Sequence, residues 1–166
     1  LKGNVIANGR PRQYRSVGSH VAGAPWFQEA IHTRSGDQYG FQSAHASSLV
    51  NGEPSLIYSC TVRRNGRAEG ACLGVLAVVF NWSNLALPIL RNVPLSIEES
   101  ARTERLIVDG SGQILASQDS CDHLNKIQLP EFAQIACQDR GYIARPYRGT
   151  PCIIGYAKAP GFETYT

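Results

Sequence analysis

Leu56-Ile57-Tyr58-Ser59-Cys60-Thr61-Val62-Arg63-Arg64-Asn65-Gly66, followed by Leu73-Gly74-Val75-Leu76-Ala77-Val78-Val79-Phe80, is the stretch on which the fold turns. Leu56, Tyr58, Cys60 and Val62 alternate with Ile57, Ser59, Thr61 and Arg63, the period of two expected of a strand. Asn65-Gly66 suits the tight turn of a hairpin, because both residues tolerate positive φ. The second run is apolar on both faces, as in a central strand covered on both sides. An antiparallel hairpin within a sheet is therefore expected here. The mixed face of Ile57, Ser59, Thr61 and Arg63 is either solvated or turned to a pocket, and the Leu56-Tyr58-Cys60-Val62 face is packed.

Upstream, residues 3–8 read as a short strand ended by Asn8-Gly9 and Pro11. Pro25 fits the first turn of a helix that continues through Trp26-Phe27-Gln28-Glu29-Ala30-Ile31-His32 and closes near Ser35-Gly36. Tyr39 and Phe41 alternate with small or polar residues, as in an edge strand. Downstream, residues 84–90 form a second helix, and Ile97-Glu98-Glu99-Ser100-Ala101 is a helical candidate. Strands follow at 106–109 and 113–117 around the turn Asp109-Gly110-Ser111-Gly112, then a helix from Pro130 to about Cys137, then strands at 142–145 and 152–157.

Several short phrases recur in order. Gly3-Asn4-Val5-Ile6-Ala7-Asn8 is echoed by Gly112-Gln113-Ile114-Leu115-Ala116-Ser117, Pro25-Trp26-Phe27 by Pro130-Glu131-Phe132, and Gly52-Glu53-Pro54-Ser55-Leu56-Ile57 by Gly149-Thr150-Pro151-Cys152-Ile153-Ile154. The separation shrinks along the chain, as in a duplicated module whose second copy has shorter loops. The expected division is a first module over 1–93, a linker over 94–103 and a smaller second module over 104–166. The second module is expected to lack its last strand, the chain being a piece of a longer protein.

With 43% hydrophobic and 17% charged residues, the chain has the composition of a globular protein. A formal charge of +3 is too small to indicate nucleic acid, and Arg63, Arg64 and Arg67 surround the hairpin turn without an aromatic platform beside them. No apolar run reaches the roughly 18 residues of a membrane-spanning helix, so a soluble segment is expected. Cys60, Cys72, Cys121, Cys137 and Cys152 are odd in number and lack C-x-x-C spacing, so free, mostly buried thiols are expected. Cys60 and Cys72 stand equidistant from Gly66 and could bridge across the hairpin in an oxidising compartment, unless a one-residue register change places them on opposite faces. Unpaired cysteines suit a reducing cytoplasm.

The succession of strand, Pro-Trp-Phe helix, Gly36-Asp37-Gln38-Tyr39, Leu56-Ile57-Tyr58, Asn65-Gly66 hairpin, Leu73-Gly74-Val75-Leu76 and Asn81-Trp82 resembles the Cache (PAS-like) sensor domains of bacterial methyl-accepting chemotaxis proteins and sensor kinases. Residues 106–117 are similar to the opening of a membrane-proximal Cache module, and Ala159-Pro160-Gly161-Phe162-Glu163-Thr164-Tyr165 to the end of such sensor segments. The resemblance implies an α+β fold with an antiparallel five-stranded PAS-like sheet and flanking helices, here in two copies, the second smaller and incomplete. It implies non-catalytic recognition of a small-molecule ligand in the first module, with no cofactor. It further implies signal output, and homodimerisation, through a long helix outside this segment as part of a receptor chain. Such domains are most often extracytoplasmic parts of inner-membrane receptors, the alternative to the cytoplasmic placement. In the amino-acid-binding branch an arginine two positions before the tryptophan grips the ligand carboxylate; here Ala24 stands there. A ligand-free dimerisation or interaction module of the same fold is the competing expectation.

The candidate ligand-binding residues are Trp26 and Phe27 on the roofing helix, Asp37 beside its end, Tyr39 and Tyr58 with phenol hydroxyls on the sheet, and Ser59 and Arg63 on the opposite face from Tyr58. Only one of the two strand faces can serve a given pocket. His20, His32, His45 and His123 show no metal-ligand spacing. Ser120-Cys121-Asp122-His123 gathers a thiol, a carboxylate and an imidazole but reads as a polar loop, because catalytic Cys/His pairs are assembled by the fold rather than by adjacency. No catalytic signature is present, and no enzyme is expected.

Overall fold

The hairpin expected over residues 56–80 forms. β1 (Gly40–Ser47) and β3 (Cys72–Asn81) flank β2 (Glu53–Arg63) in a three-stranded antiparallel sheet of order β1-β2-β3. This computed structural model describes residues 1–35, 37–118, 122 and 124–159. Gly36, the Cys121 and His123 of the polar loop, and the stretch from Pro160 onward lie outside the described residues. Two compact units are present, Leu1–Ala86 and Leu87–Thr166, and the division falls inside α2 (Trp82–Arg91).

In the first unit α1 (Pro25–Ile31) covers one sheet face. Pro25 stands at its first turn, where a missing N–H costs nothing, and the helix buries Trp26, Phe27 and Ala30. Trp26, Phe27 and Ile57 form the core cluster, with Val75, Ala77 and Val79 packed against it. Residues opposite each other in an antiparallel ladder share a face. The rows Gly40–Ser59–Ala77 and Gln42–Ile57–Val79 therefore lie under α1, while Phe41–Tyr58–Val78 lies on the reverse. Helix and sheet approach closely at Gly40, where a Cβ would stand 2.9 Å from both Glu29 Cβ and Ser59 Oγ. Two hydrogen bonds fasten the contact: Ser59 Oγ donates to the Trp26 carbonyl (2.7 Å), and the Phe41 amide donates to Glu29 Oε2 (3.0 Å).

Several expectations are corrected. The mixed Ile57-Ser59-Thr61-Arg63 face is the packed one, with Ile57 fully buried, and Val62 on the opposite face is exposed. β3 is an edge strand of a three-stranded sheet rather than a central strand of five: Val75, Ala77 and Val79 are covered by the core, but Leu73, Leu76, Val78 and Phe80 are 40–56% exposed. Residues 3–8 make an isolated bridge, Asn4 to His20, instead of a strand; Gly3 sits at φ 67°, where a Cβ would stand 2.7 Å from Ala22. Cys60 pairs with Leu76 and Cys72 with Arg63, so the two thiols do not face each other. Equal spacing about Gly66 misleads because the loop extends from Arg64 past Gly70 and the hairpin's centre lies beyond the Asn65-Gly66 turn. Cys60, Cys72, Cys137 and Cys152 are free, and they are half-buried or exposed rather than buried.

The second unit carries two hairpins. α3 (Ile97–Ala101) begins with a capping box, Ser96 Oγ accepting from the Glu99 amide and Glu99 Oε2 accepting from the Ser96 amide. β4 (Leu106–Val108) pairs with β5 (Ile114–Ser117), whose four residues are all buried. Asp109 builds the turn between them: its Oδ1 accepts from the Ser111 amide, the Ser111 hydroxyl and the Gln113 amide at 2.7–2.9 Å. Burial alone would raise the Asp109 pKa, but these hydrogen bonds and Lys126 outweigh it and hold the carboxyl below its ordinary range. α4 (Phe132–Ile135) is shorter than the expected helix, and β6 (Arg140–Tyr147) and β7 (Thr150–Ala157) are longer than the expected strands. Their turn places Arg148 and Gly149 at φ 51° and 79°, the positive-φ pair of a type I′ hairpin.

Candidate ligand groove

An irregularity in β1 creates the candidate site. Gln42 lies opposite Ile57 but His45 lies opposite Ser55, so β1 uses three residues where β2 uses two. In a regular strand Gln42 and His45 would point to opposite faces. The extra residue restores the parity, and both fall in register with the face beneath α1, the way bulges commonly re-aim side chains.

A groove of about 290 Å³ opens beside these residues. Its sheet side is formed by Gln42, His45 and Ser47 of β1 with Ser48 and Leu49 of the short 3₁₀ turn Ser48–Val50. The opposite side is formed by His20 and Val21 ahead of the helix and by Ala24, Pro25 and Trp26 at its start. Trp26, Val21 and Leu49 belong to or pack against the core cluster, so the groove's apolar wall is continuous with the core. Among the described residues lining it there is no Arg, Lys, Asp or Glu.

Hydrogen bonds fix the polar groups. His45 Nδ1 lies 2.9 Å from the Ser43 carbonyl and His20 Nδ1 3.0 Å from Asn4 Oδ1. A backbone carbonyl can only accept, so the His45 contact places a hydrogen on its Nδ1. Gln42 Oε1 is shut off from solvent with no hydrogen-bond partner, the kind of buried polar atom that folded proteins seldom leave unpaired.

Of the residues singled out by sequence, Trp26 lines this groove. Phe27 is core, edge-to-face with Trp26 at 5.9 Å. Ser59 and Arg63 share the α1 face but are engaged within the protein: Ser59 on the Trp26 carbonyl, and Arg63 on the carbonyls of Thr33 and Gly70 and the Thr61 hydroxyl. Tyr58 is on the reverse face in an aromatic cluster with Tyr39, Phe41 and Phe80, ring centroids 4.9–5.9 Å apart. Asp37 is exposed, with its amide donating to Ser35 Oγ. Sequence reasoning missed Gln42, His45 and His20. The signal available was Gly40 opposite Ser59, two small residues that mark where a helix lies close over the sheet. A second concavity, at the β2–β3 loop, is lined by Arg64, Asn65, Arg67, Glu69, Gly70 and Ala71 and lacks an apolar wall. No group of three His, Cys, Asp or Glu side chains suited to a metal ion occurs among the described residues, and none of their helices is long and apolar enough to cross a membrane.

No protein-family model matches the chain. No curated protein matches it either. Solved structures do. An extracellular ligand binding receptor from Desulfohalobium retbaense is similar over 89% of this chain and 24% of its own, with a TM-score of 0.62 and 13% identity. The ligand-binding domain of the Pseudomonas fluorescens chemoreceptor CtaA, in complex with L-alanine, matches over 89% of this chain and 58% of its own, with a TM-score of 0.57 and 14% identity. That of the Pseudomonas aeruginosa amino acid chemoreceptor PctC, in complex with GABA, matches over 82% and 54%, with a TM-score of 0.53 and 21% identity. The chain thus spans between about a quarter and three fifths of these neighbours' lengths.

Proposed function

We propose that this chain, which has the α+β fold of Cache-type chemoreceptor sensing domains, is a non-catalytic small-molecule sensor whose ligand sits in the groove between α1 and the bulged strand β1. The observation that carries this reading is the bulge, which brings Gln42 and His45 to one face beside an apolar wall that includes Trp26. A concave site with apolar walls and a few placed polar groups is the usual form of a small-ligand pocket. Phe27, Ser59 and Arg63 serve it indirectly by holding α1, and Asp37, Tyr39 and Tyr58 stand off it. Ligand binding would draw α1 and the Ser48–Val50 turn together, shifting an equilibrium between open and closed forms by the difference in affinity for the two.

We further propose two tandem modules, with a linker over 94–103. Both units run through the same order: an antiparallel pairing (Asn4 with His20; β4 with β5), a short helix (α1; α4), then an antiparallel hairpin (β1–β2; β6–β7). This order supports a duplication.

One observation favours a second reading. Val62, Leu76, Val78 and Phe80 share the sheet face away from α1 and are all exposed, the kind of apolar surface that marks an interaction site. A thermal-shift screen against amino acids, carboxylates, amines, purines and sugars separates the two. The sensor reading expects stabilisation by one class, removed by Ser48→Trp, which plugs the mouth of the groove from an exposed position. A flat screen, together with association that rises with protein concentration, would favour an interaction module instead.

A further inference from the structure

We propose that the outer edge of β3 pairs antiparallel with β3 of a second copy of this chain, about a two-fold axis through Ala77, so that two three-stranded sheets become one continuous sheet. The groove lies at β1, the other edge of the sheet, so this goes beyond the sensing reading and does not rest on it.

The two edges are built differently. β1 is interrupted by its bulge, a device that blunts an edge against further pairing. β3 runs from Cys72 to Asn81 without a charged residue or a proline, and it keeps an unbroken register with β2 from Gly74 to Asn81. On the side away from β2, its row of amides and carbonyls has no backbone partner among the described residues. A long, uncharged edge of this kind is a template for another strand.

Register is what selects a second copy as the occupant. Residues directly opposite in an antiparallel pair share a face. About Ala77, therefore, Val75 meets the partner's Val79 on the α1 face. On the reverse face Leu76 meets the partner's Val78, and Phe80 meets the partner's Gly74. The last pairing lays the largest side chain of the strand over its glycine, where a Cβ would have nothing within 4 Å. An aromatic ring set across from an edge glycine covers backbone that would otherwise stay open. Leu76, Val78 and Phe80, now 56%, 47% and 40% exposed, each gain an apolar neighbour or a glycine to cover. With no charge on the strand, the two-fold axis brings no like charges together. Nor does α1 obstruct it, since its close approach is to Gly40 of β1 and Ser59 of β2.

Sedimentation of the wild-type chain over a dilution series should show a monomer–dimer equilibrium. Leu76→Lys and Val78→Glu, both at exposed positions, should each weaken the dimer at least about tenfold, because each sets a like charge diagonal to its own copy. A mixture of the two variants should recover most of the loss, since position 76 of one chain lies opposite position 78 of the other, lysine against glutamate. Amide hydrogen exchange should slow with concentration in β3 but not in β1. Ligand stabilisation in the thermal screen should be the same in Leu76→Lys as in the wild type, so loss of the dimer leaves the sensing reading standing. A chain that stays monomeric at every concentration would overturn the proposal, as would a mixture that associates no better than either variant alone. Dimers without slower exchange in β3 would also overturn it, because the reverse faces would then be packing together while the edges stayed unpaired.

Discussion

Replacing Trp26 with alanine should cost the first unit about 3–5 kcal/mol, the range measured when a large buried aromatic is truncated. The indole is 6% exposed, meets Phe27 edge-to-face and belongs to the same cluster as the fully buried Ile57. Single domains are stable by only about 5–15 kcal/mol, so the variant would stand close to unfolding. Loss of ligand binding in Trp26→Ala would therefore say little about contact with ligand, and for this reason Ser48→Trp is the cleaner probe of the groove. Denaturant unfolding measures the effect, and a loss below about 1 kcal/mol would mean that Trp26 does not hold the core.

Arg63→Ala should destabilise the same unit by about 1.5–3 kcal/mol, the worth of a hydrogen-bonded charged group that is partly screened by water. Its guanidinium spans three acceptors, Nη2 donating to the Thr33 carbonyl (2.6 Å), Nη1 to the Gly70 carbonyl (3.0 Å) and Nε to Thr61 Oγ (3.1 Å). It thereby ties the segment after α1 to the loop between β2 and β3. Arg63→Lys should recover only part of the loss, because a single ammonium cannot reproduce a planar fork. Groove binding should survive in both variants. If Arg63→Ala instead abolished binding without loss of stability, Arg63 would be a ligand residue after all.

Strand pattern and turn chemistry were enough to place β2, β3, α1 and the Asp109 turn, because each rests on local preferences: alternation, Pro25 at a helix start, an Asp able to accept from the amides ahead of it. Which face of β2 is buried was not legible. Ser59 and Thr61 look solvated by type, yet they are buried because α1 lies close over Gly40 and the Trp26 carbonyl and Thr33 supply their hydrogen bonds. For the same reason Tyr58 and Tyr39, attractive as phenol donors, ended on the reverse face. The groove itself depends on a single extra residue in β1, and Phe41-Gln42-Ser43-Ala44-His45 carries no glycine or proline to announce a bulge. Likewise Arg148 at positive φ is tolerated by the hairpin that demands it, a tertiary choice that propensity does not foresee.

The central claim is that ligand enters between α1 and the bulged strand, and the most direct measurement is a backbone NMR titration with whichever compound the thermal screen selects. The account predicts that the largest shift changes fall on His20, Ala24, Trp26, Gln42, His45 and Ser48, with the amides of Tyr58, Val78 and Phe80 nearly unmoved. Changes centred on that reverse face, or confined to the second unit, would contradict it.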